Sequence, residues 1–302
     1  MKTKIFVSST SNRKIFTHDG AFSIDEVLAC AILSIYYSEN SDYDIEIARI
    51  GDIREIGFRQ VLALVNISAP ADDHCKSYRS AQCVWEEYGK KVCSTLTDKL
   101  IEPFFKENGY GTSFEYNLDV SSFSYLSSFL PPWNCQNYDK YFEDALQVTI
   151  SILKANILQS FSCYYAKEFI LASIYCSNNS NLCFPDRDSL FCDGVLLLYN
   201  QDIPWLETVV NHNNASEGTS LIVNFVVYYS RSTKDWVSQC VPISLEDLSK
   251  PRIPFSKKLF DSKSFNGNNI YCEKDRLSIR SKSREDIIRL SFRATSFYNN
   301  QK

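Results

Sequence analysis

Between Trp133 and Phe184 the chain contains neither glycine nor proline, and Phe142, Leu146, Ile150, Leu153, Ile157 and Phe161 recur at intervals of three or four residues. That spacing sets the six side chains on one stripe of an α-helix. One long helix or two in tandem therefore fill most of the interval and separate an N-terminal part from a C-terminal part. A chain of 302 residues has length for about two ordinary domains. The division expected is an α/β domain over 1–135, a long helical connection over 136–182 and an α+β domain over 183–302.

In the N-terminal part, Ile5–Ser8 and Lys14–Thr17 are short and β-rich. Between Asp25 and Tyr37 the apolar residues Val27, Leu28, Ala31, Ile32, Ile35 and Tyr36 return at helical spacing. Asp44–Ile50 alternates charged and apolar residues, and Gln60–Ile67 is a nearly continuous apolar run, the pattern of a parallel strand covered on both faces. Ser80–Cys93 reads as another helix. Strands alternating with helices predict a parallel sheet. In the C-terminal part, strands are expected at Val195–Tyr199, Leu221–Tyr229 and Trp236–Ile243, then a last helix near Arg284–Arg293.

Composition excludes several classes. Hydrophobic residues make up 44% and charged residues 23% of the chain, a globular rather than a disordered balance. The formal charge of -4 gives no global attraction for polyphosphate, so a nucleic-acid site would have to be local. No apolar run approaches the roughly 18 residues of a membrane span, and the first ten residues lack the apolar core of a secretory signal. No membrane association is expected. Eleven cysteines, scattered from Cys30 to Cys272 without a Cys-x-x-Cys pair, read as reduced thiols of an intracellular protein. There is no Gly-x-Ser-x-Gly elbow, no phosphate-binding Gly-x-x-x-x-Gly-Lys loop and no Gly-x-Gly-x-x-Gly.

The segment with chemical content is Thr17–Glu26, at the first strand-to-helix junction. Loop and first-turn side chains at such a junction converge on the crevice at the carboxyl ends of the strands. His18 and Asp25 would meet there, and an imidazole with a carboxylate suits a transition metal able to lower the pKa of bound water. The same letters have a plainer reading. Ser23-x-x-Glu26 before an apolar run is a capping box, and Asp25 in the first turn favours the helix dipole.

At these residues the chain resembles the melanocyte-proliferating-gene family, metal-dependent hydrolases related to the Asp-His-His phosphoesterases. The family signature His-x-Gly-x-Phe-His-x-Asp-Glu-x-Leu-Ala is matched by His18, Gly20, Phe22, Asp25, Glu26, Leu28 and Ala29. Further landmarks follow in the family's order: Ser80-Ala81 with Trp85–Lys90, Asn108-Gly109, Pro132-Trp133-Asn134, Pro204-Trp205, Asp235–Pro242 and Lys282–Glu285. The resemblance implies an Asp-His-His-phosphoesterase-like parallel-sheet domain followed by a smaller α+β domain. It also implies a divalent ion, Mn or Mg, and 3'-to-5' exonuclease action on RNA in the mitochondrion and nucleus. The cytoplasm is the alternative compartment.

Carried over residue by residue, the resemblance assigns the metal to His18, Asp25, Asp73, His74 and Glu107, with His18, Asp25 and His74 as the catalytic set. Cys75 stands where the family's last histidine belongs, which would shift preference toward Zn. Ser23 replaces the signature's second histidine, and Leu64 replaces a metal-binding aspartate in its strand. Where relatives carry a histidine and then two glycines, this chain has Glu273 and Ile279-Arg280, whose side chains obstruct close approach of backbone to substrate. Two readings follow: a working metal-dependent phosphodiesterase, or a catalytically inactive pseudoenzyme of the same fold serving as a binding or scaffolding module.

The C-terminal part carries basic clusters around Lys250-Pro251-Arg252, Lys257-Lys258 and Lys274–Arg293. Arg280, Lys282 and Arg284 are the candidate RNA-contacting residues, with Phe255, Phe260 and Tyr271 as neighbouring aromatics. The alternative is a solvated face whose charge Glu273, Asp275, Glu285 and Asp286 offset. His212, in the polar run Asn211-His212-Asn213-Asn214, is expected on a solvated loop.

Overall fold

A computed structural model of the chain describes residues 4–5, 14–40, 46–51, 61–65, 77–78, 80–98, 114–132, 134, 137–176, 189–198, 203–256 and 270–299. The chain divides into two compact units, Met1–Ser162 and Cys163–Lys302. The division falls inside the long helix.

The first unit is built on a parallel sheet of five strands, β1 (Lys4–Ile5), β2 (Lys14–His18), β3 (Glu46–Ile50), β4 (Val61–Val65) and β5 (Ser77–Tyr78), in the order β1-β3-β2-β4-β5. Its helices are α1 (Ile24–Asn40), α2 (Ala81–Thr97) and the first part of α3 (Tyr138–Cys176), with a 3-10 segment over Val120–Phe129. The chain leaves β2 through α1 to pair with β3 on one side, and β4 then pairs on the other side of β2. The carboxyl end of β2 therefore lies where the strand order reverses, the place where open α/β sheets form ligand crevices.

α1 is apolar on most of its circumference because it is a core helix. Val27 through Leu33 are all buried, as is Ile35, and each Val, Leu or Ile side chain among them contributes about 1.5–3 kcal/mol relative to exposure. Ser23 starts this helix, accepting the N–H of Glu26 on its Oγ at 3.2 Å and the N–H of Val27 on its carbonyl at 3.2 Å. α2 starts at Ser80, whose extended backbone and side-chain bond to the Cys83 N–H form an ordinary N-cap. The Trp85 indole donates to the Tyr116 carbonyl at 3.2 Å, so the ring lies over Gly89, where a Cβ would come within 2.6 Å of it. The Gly- and Pro-free stretch forms α3, a single helix of 39 residues.

The second unit carries a mixed sheet in the order β10-β11-β9-β8-β7-β6. The strands are β6 (Ser189–Cys192), β7 (Val195–Leu198), β8 (Phe225–Ser230), β9 (Asp235–Cys240), β10 (Tyr271–Cys272) and β11 (Ser278–Ser281). Only β7 and β8 pair in parallel. Asp193 and Gly194, both at positive φ, turn the β6–β7 hairpin. α5 (Arg284–Asn299) covers this sheet through Ile287, Leu290 and Ala294, which share a core with Val195, Leu197, Phe225, Val227 and Ile279.

Three expectations are corrected in this unit. Asn211–Asn214 is not a solvated loop but part of a helix, α4 (Leu206–Ala215), with His212 and Asn213 buried. The cause is long-range: Asn213 bonds both the carbonyl and the N–H of Val223 at 2.7 and 2.8 Å, and His212 Nε2 lies 3.1 Å from the Leu221 carbonyl. Those bonds hold Leu221 and Val223 outside the strand, which begins at Phe225 rather than Leu221. Phe255 is fully buried and stacks on Phe225 at 4.7 Å, so it is a core ring and not part of a nucleic-acid face. Among the described residues no helix is long and apolar enough to cross a membrane.

Candidate functional site

The site sits at the carboxyl ends of β2 and β3, where strand register aligns Thr17 with Arg49 and His18 with Ile50. Thr17 and His18 point to opposite faces because successive strand residues alternate. Thr17 is buried and donates its hydroxyl to Glu26 Oε1, whereas His18 is exposed. The Asp19 N–H bonds the Ile50 carbonyl at 3.0 Å and carries the chain into the loop ahead of α1.

Ser23 and Glu26 complete only half of the capping box. Ser23 Oγ takes the Glu26 N–H, but the Glu26 carboxyl turns inward to Thr17 and is 3% exposed. Burial pushes its pKa above the usual glutamate value, opposed in part by the Thr17 bond and by the charges of Arg49 and His18. Burial beside the same carboxyl also holds the Cys30 thiol well above its ordinary value, so it is an inert core thiol.

Asp25, the other carboxyl of the first turn, leaves its own helix. Its Oδ2 accepts the backbone N–H of Ala81, the first residue of α2, at 3.1 Å. That N–H is one of the orphan donors at a helix start, and a carboxylate there also complements the helix dipole.

Arg49, one of the charges that alternate with apolar residues along β3, organises the loop. Its Nε donates to the His18 carbonyl at 3.2 Å, one terminal nitrogen to the Gly20 carbonyl at 2.6 Å and the other to Asp139 at 2.8 Å. The guanidinium also lies over the rings of Phe22 and Phe142, at 5.4 and 4.8 Å, and those rings meet edge to face at 5.2 Å. Five donors in a planar fork suit this role as an ammonium would not. The available signal was a basic residue at the next-to-last position of β3, two residues before Gly51, where a Cβ would come 3.0 Å from Asp19 Oδ2.

Of the residues assigned to a metal, His18 and Asp25 are placed as above, while Asp73, His74, Cys75 and Glu107 lie outside the described residues. Leu64, in the strand position of the family's aspartate, is fully buried and in register with Phe16 and Ser77. Among the described residues no three His, Cys, Asp or Glu side chains cluster in a way that could hold an ion. The described donors thus do not by themselves fit a divalent metal.

The basic candidates lie in the second unit. Arg280 stacks on Tyr271, its partner across the β10–β11 pair, at 4.3 Å. Lys282 pairs with Asp235 at 2.7 Å and donates to the Lys234 carbonyl. Arg284 contacts Glu285 at 3.3 Å and lies 5.9 Å over Trp236. Lys257, Lys258 and Phe260 lie outside the described residues.

No family model and no curated protein matches the chain. Among solved structures the chain is similar to a pGpG-specific phosphodiesterase, PggH from Vibrio cholerae, at 13% identity over 97% of this chain and 100% of that one, with a TM-score of 0.25. A TM-score this low carries no argument about fold or chemistry.

Proposed function

We propose that the protein is a phosphoesterase-like fold that does not hydrolyse and acts as a binding module. The observation that carries this reading is the bond from Ala81 N–H to Asp25 Oδ2, which commits the acid of the signature to holding α1 against α2. Three features agree with it. Ser23 serves as an N-cap in the position of a metal-binding histidine, Leu64 is a buried aliphatic residue in the position of a metal-binding aspartate, and Arg49 already supplies positive charge beside Glu26. An ion placed near a fixed guanidinium would be opposed by its charge.

The rival reading is metal-dependent cleavage of RNA from its 3' end. The feature that favours it is His18, an exposed imidazole at the carboxyl end of a central parallel strand. In that reading His18, Asp25, Asp73, His74 and Glu107 would hold the ion, which would supply a hydroxide for attack on phosphorus.

One sample separates the two. Purified protein is analysed for metal, then incubated with end-labelled RNA in Mn or Mg beside His18→Ala and Asp25→Ala. The binding-module reading expects intact RNA in every lane. Metal-dependent shortening of the RNA by the wild-type chain, abolished by His18→Ala, would overturn it.

A further inference from the structure

The second unit holds an open cavity of about 950 Å³, at the upper end of the range for small-molecule sites. Tyr164, Lys167 and Tyr175 of α3 line it, together with Trp205, Glu207 and His212 at and within α4, and Gln239 of β9. Three aromatic side chains in one cavity give flat apolar walls. Tyr175 is 50% exposed, so its ring is presented at the cavity rather than consumed in the core.

The polar atoms are differentiated. The Tyr175 hydroxyl lies 3.5 Å from His212 Nδ1, and the two rings meet edge to face at 5.5 Å. His212 Nε2 faces the Leu221 carbonyl at 3.1 Å, and a carbonyl only accepts. Nε2 therefore donates to that carbonyl, and Nδ1 accepts from the Tyr175 hydroxyl, whose oxygen keeps acceptor capacity. Gln239 gives its Oε1 to the Tyr228 hydroxyl at 3.0 Å, so what it offers the cavity is the N–H donors of its amide. Glu207 adds an acceptor and Lys167 an ammonium, both on exposed side chains.

Aromatic faces, edge acceptors, an edge donor and one cation are the complement of a flat heterocycle with N–H and C=O groups on its rim and an anionic tail. An acyl chain would give the Gln239 amide, Glu207 and Lys167 nothing to bind. We propose that this cavity binds a nucleoside monophosphate, its base stacked on the aromatic side chains and its phosphate on Lys167. The inference is independent of whether the first unit hydrolyses anything, because the cavity lies wholly in the second.

Isothermal titration of the full chain with AMP, GMP, CMP and UMP tests it, beside ribose 5-phosphate, the free nucleosides and indole-3-acetate as an aromatic anion without a nucleobase. At least one nucleotide should saturate at one per chain, with ribose 5-phosphate and indole-3-acetate at least tenfold weaker. Tyr175→Ala should weaken the nucleotide by about five- to a hundredfold, the range for losing one stacking contact. Lys167→Ala should weaken the nucleotide but not its nucleoside. Both side chains are exposed, and a thermal melt of each variant confirms that it folds. Absence of saturable binding by all four nucleotides would overturn the proposal. So would equal binding of either control compound, or affinity indifferent to Tyr175→Ala in a folded variant.

Discussion

Asp25 accepts the backbone N–H of Ala81 at 3.1 Å, so a side chain in the first turn of α1 satisfies the first turn of α2, fifty-six residues away in sequence. Ser80 serves the same turn from within, taking the Cys83 N–H. Helix starts leave several donors without intrahelical partners, and buried ends require that they be matched. The acid that the signature would aim at a metal is therefore also a fastening between two core helices.

That fastening predicts a stability pattern. Asp25→Asn keeps an acceptor for the Ala81 N–H and should lie within about 0.5 kcal/mol of wild type, whereas Asp25→Ala removes it and should cost about 1–2 kcal/mol. Urea unfolding monitored by circular dichroism gives both values. If Asn is as damaging as Ala, the negative charge matters more than the acceptor.

Glu26 predicts a pH dependence. Its folded pKa is raised, chiefly by burial, so the folded state holds this proton more tightly than the unfolded chain does. The contribution to stability is fully present below the ordinary glutamate range and is lost as pH rises through the folded value. Glu26→Gln lacks that titration while keeping an acceptor for the Thr17 hydroxyl. Its melting temperature should therefore gain on wild type as pH is raised from about 4 to about 8. A gap that shrinks over that interval would show that the carboxylate is held as the favoured form.

Arg49 holds two backbone carbonyls, one carboxylate and two aromatic faces. Arg49→Lys reaches only part of this set and should cost about 1–2 kcal/mol, because the exposed His18 carbonyl and the part-buried Gly20 carbonyl lose charged donors that water replaces only in part. Asp139→Asn should cost under about 1 kcal/mol, since the Asp139 side chain is half exposed and water screens the pair. Paired thermal melts measure the contrast. Equal losses would mean that the ion pair, and not the carbonyl bonds, holds the loop.

The sequence made local and periodic features legible and left the long-range ones hidden. α1 and α3 were readable because their apolar residues recur at helical spacing without a breaker, and the Ser23 cap because its partner is three residues away. His212 and Asn213 misled because four polar letters in a row read as solvent-facing, while the groups that bury them are the main chain of Leu221 and Val223. No local pattern marks such a partner. Phe255 was misplaced for a related reason: its basic surroundings suggested a surface, but its ring packs on Phe225, thirty residues earlier. At the candidate site the motif residues His18 and Asp25 lie within one short segment, whereas the partners of Arg49 come from two segments far apart in sequence, 18–22 and 139–142.

Gly89 gives a test in which local propensity and packing have opposite signs. It lies in the interior of α2, where replacing Gly by Ala ordinarily stabilises a helix by about 1 kcal/mol. Here a Cβ would stand 2.6–2.9 Å from three atoms of the Trp85 indole. The ring cannot simply swing away, because its nitrogen donates to the Tyr116 carbonyl at 3.2 Å and its edge packs on the Tyr116 ring at 5.8 Å. Overpacking of this kind costs about 1–3 kcal/mol, so Gly89→Ala should be destabilising by up to about 2 kcal/mol once the propensity gain is offset. Gly89→Ala combined with Trp85→Leu removes the clash, and in that background the same alanine should become neutral or favourable. A double-mutant cycle in urea reads the coupling directly. An alanine that stabilises the wild-type chain would mean that Trp85 is free to move and that its bond to Tyr116 does not hold α2 against the 114–119 segment.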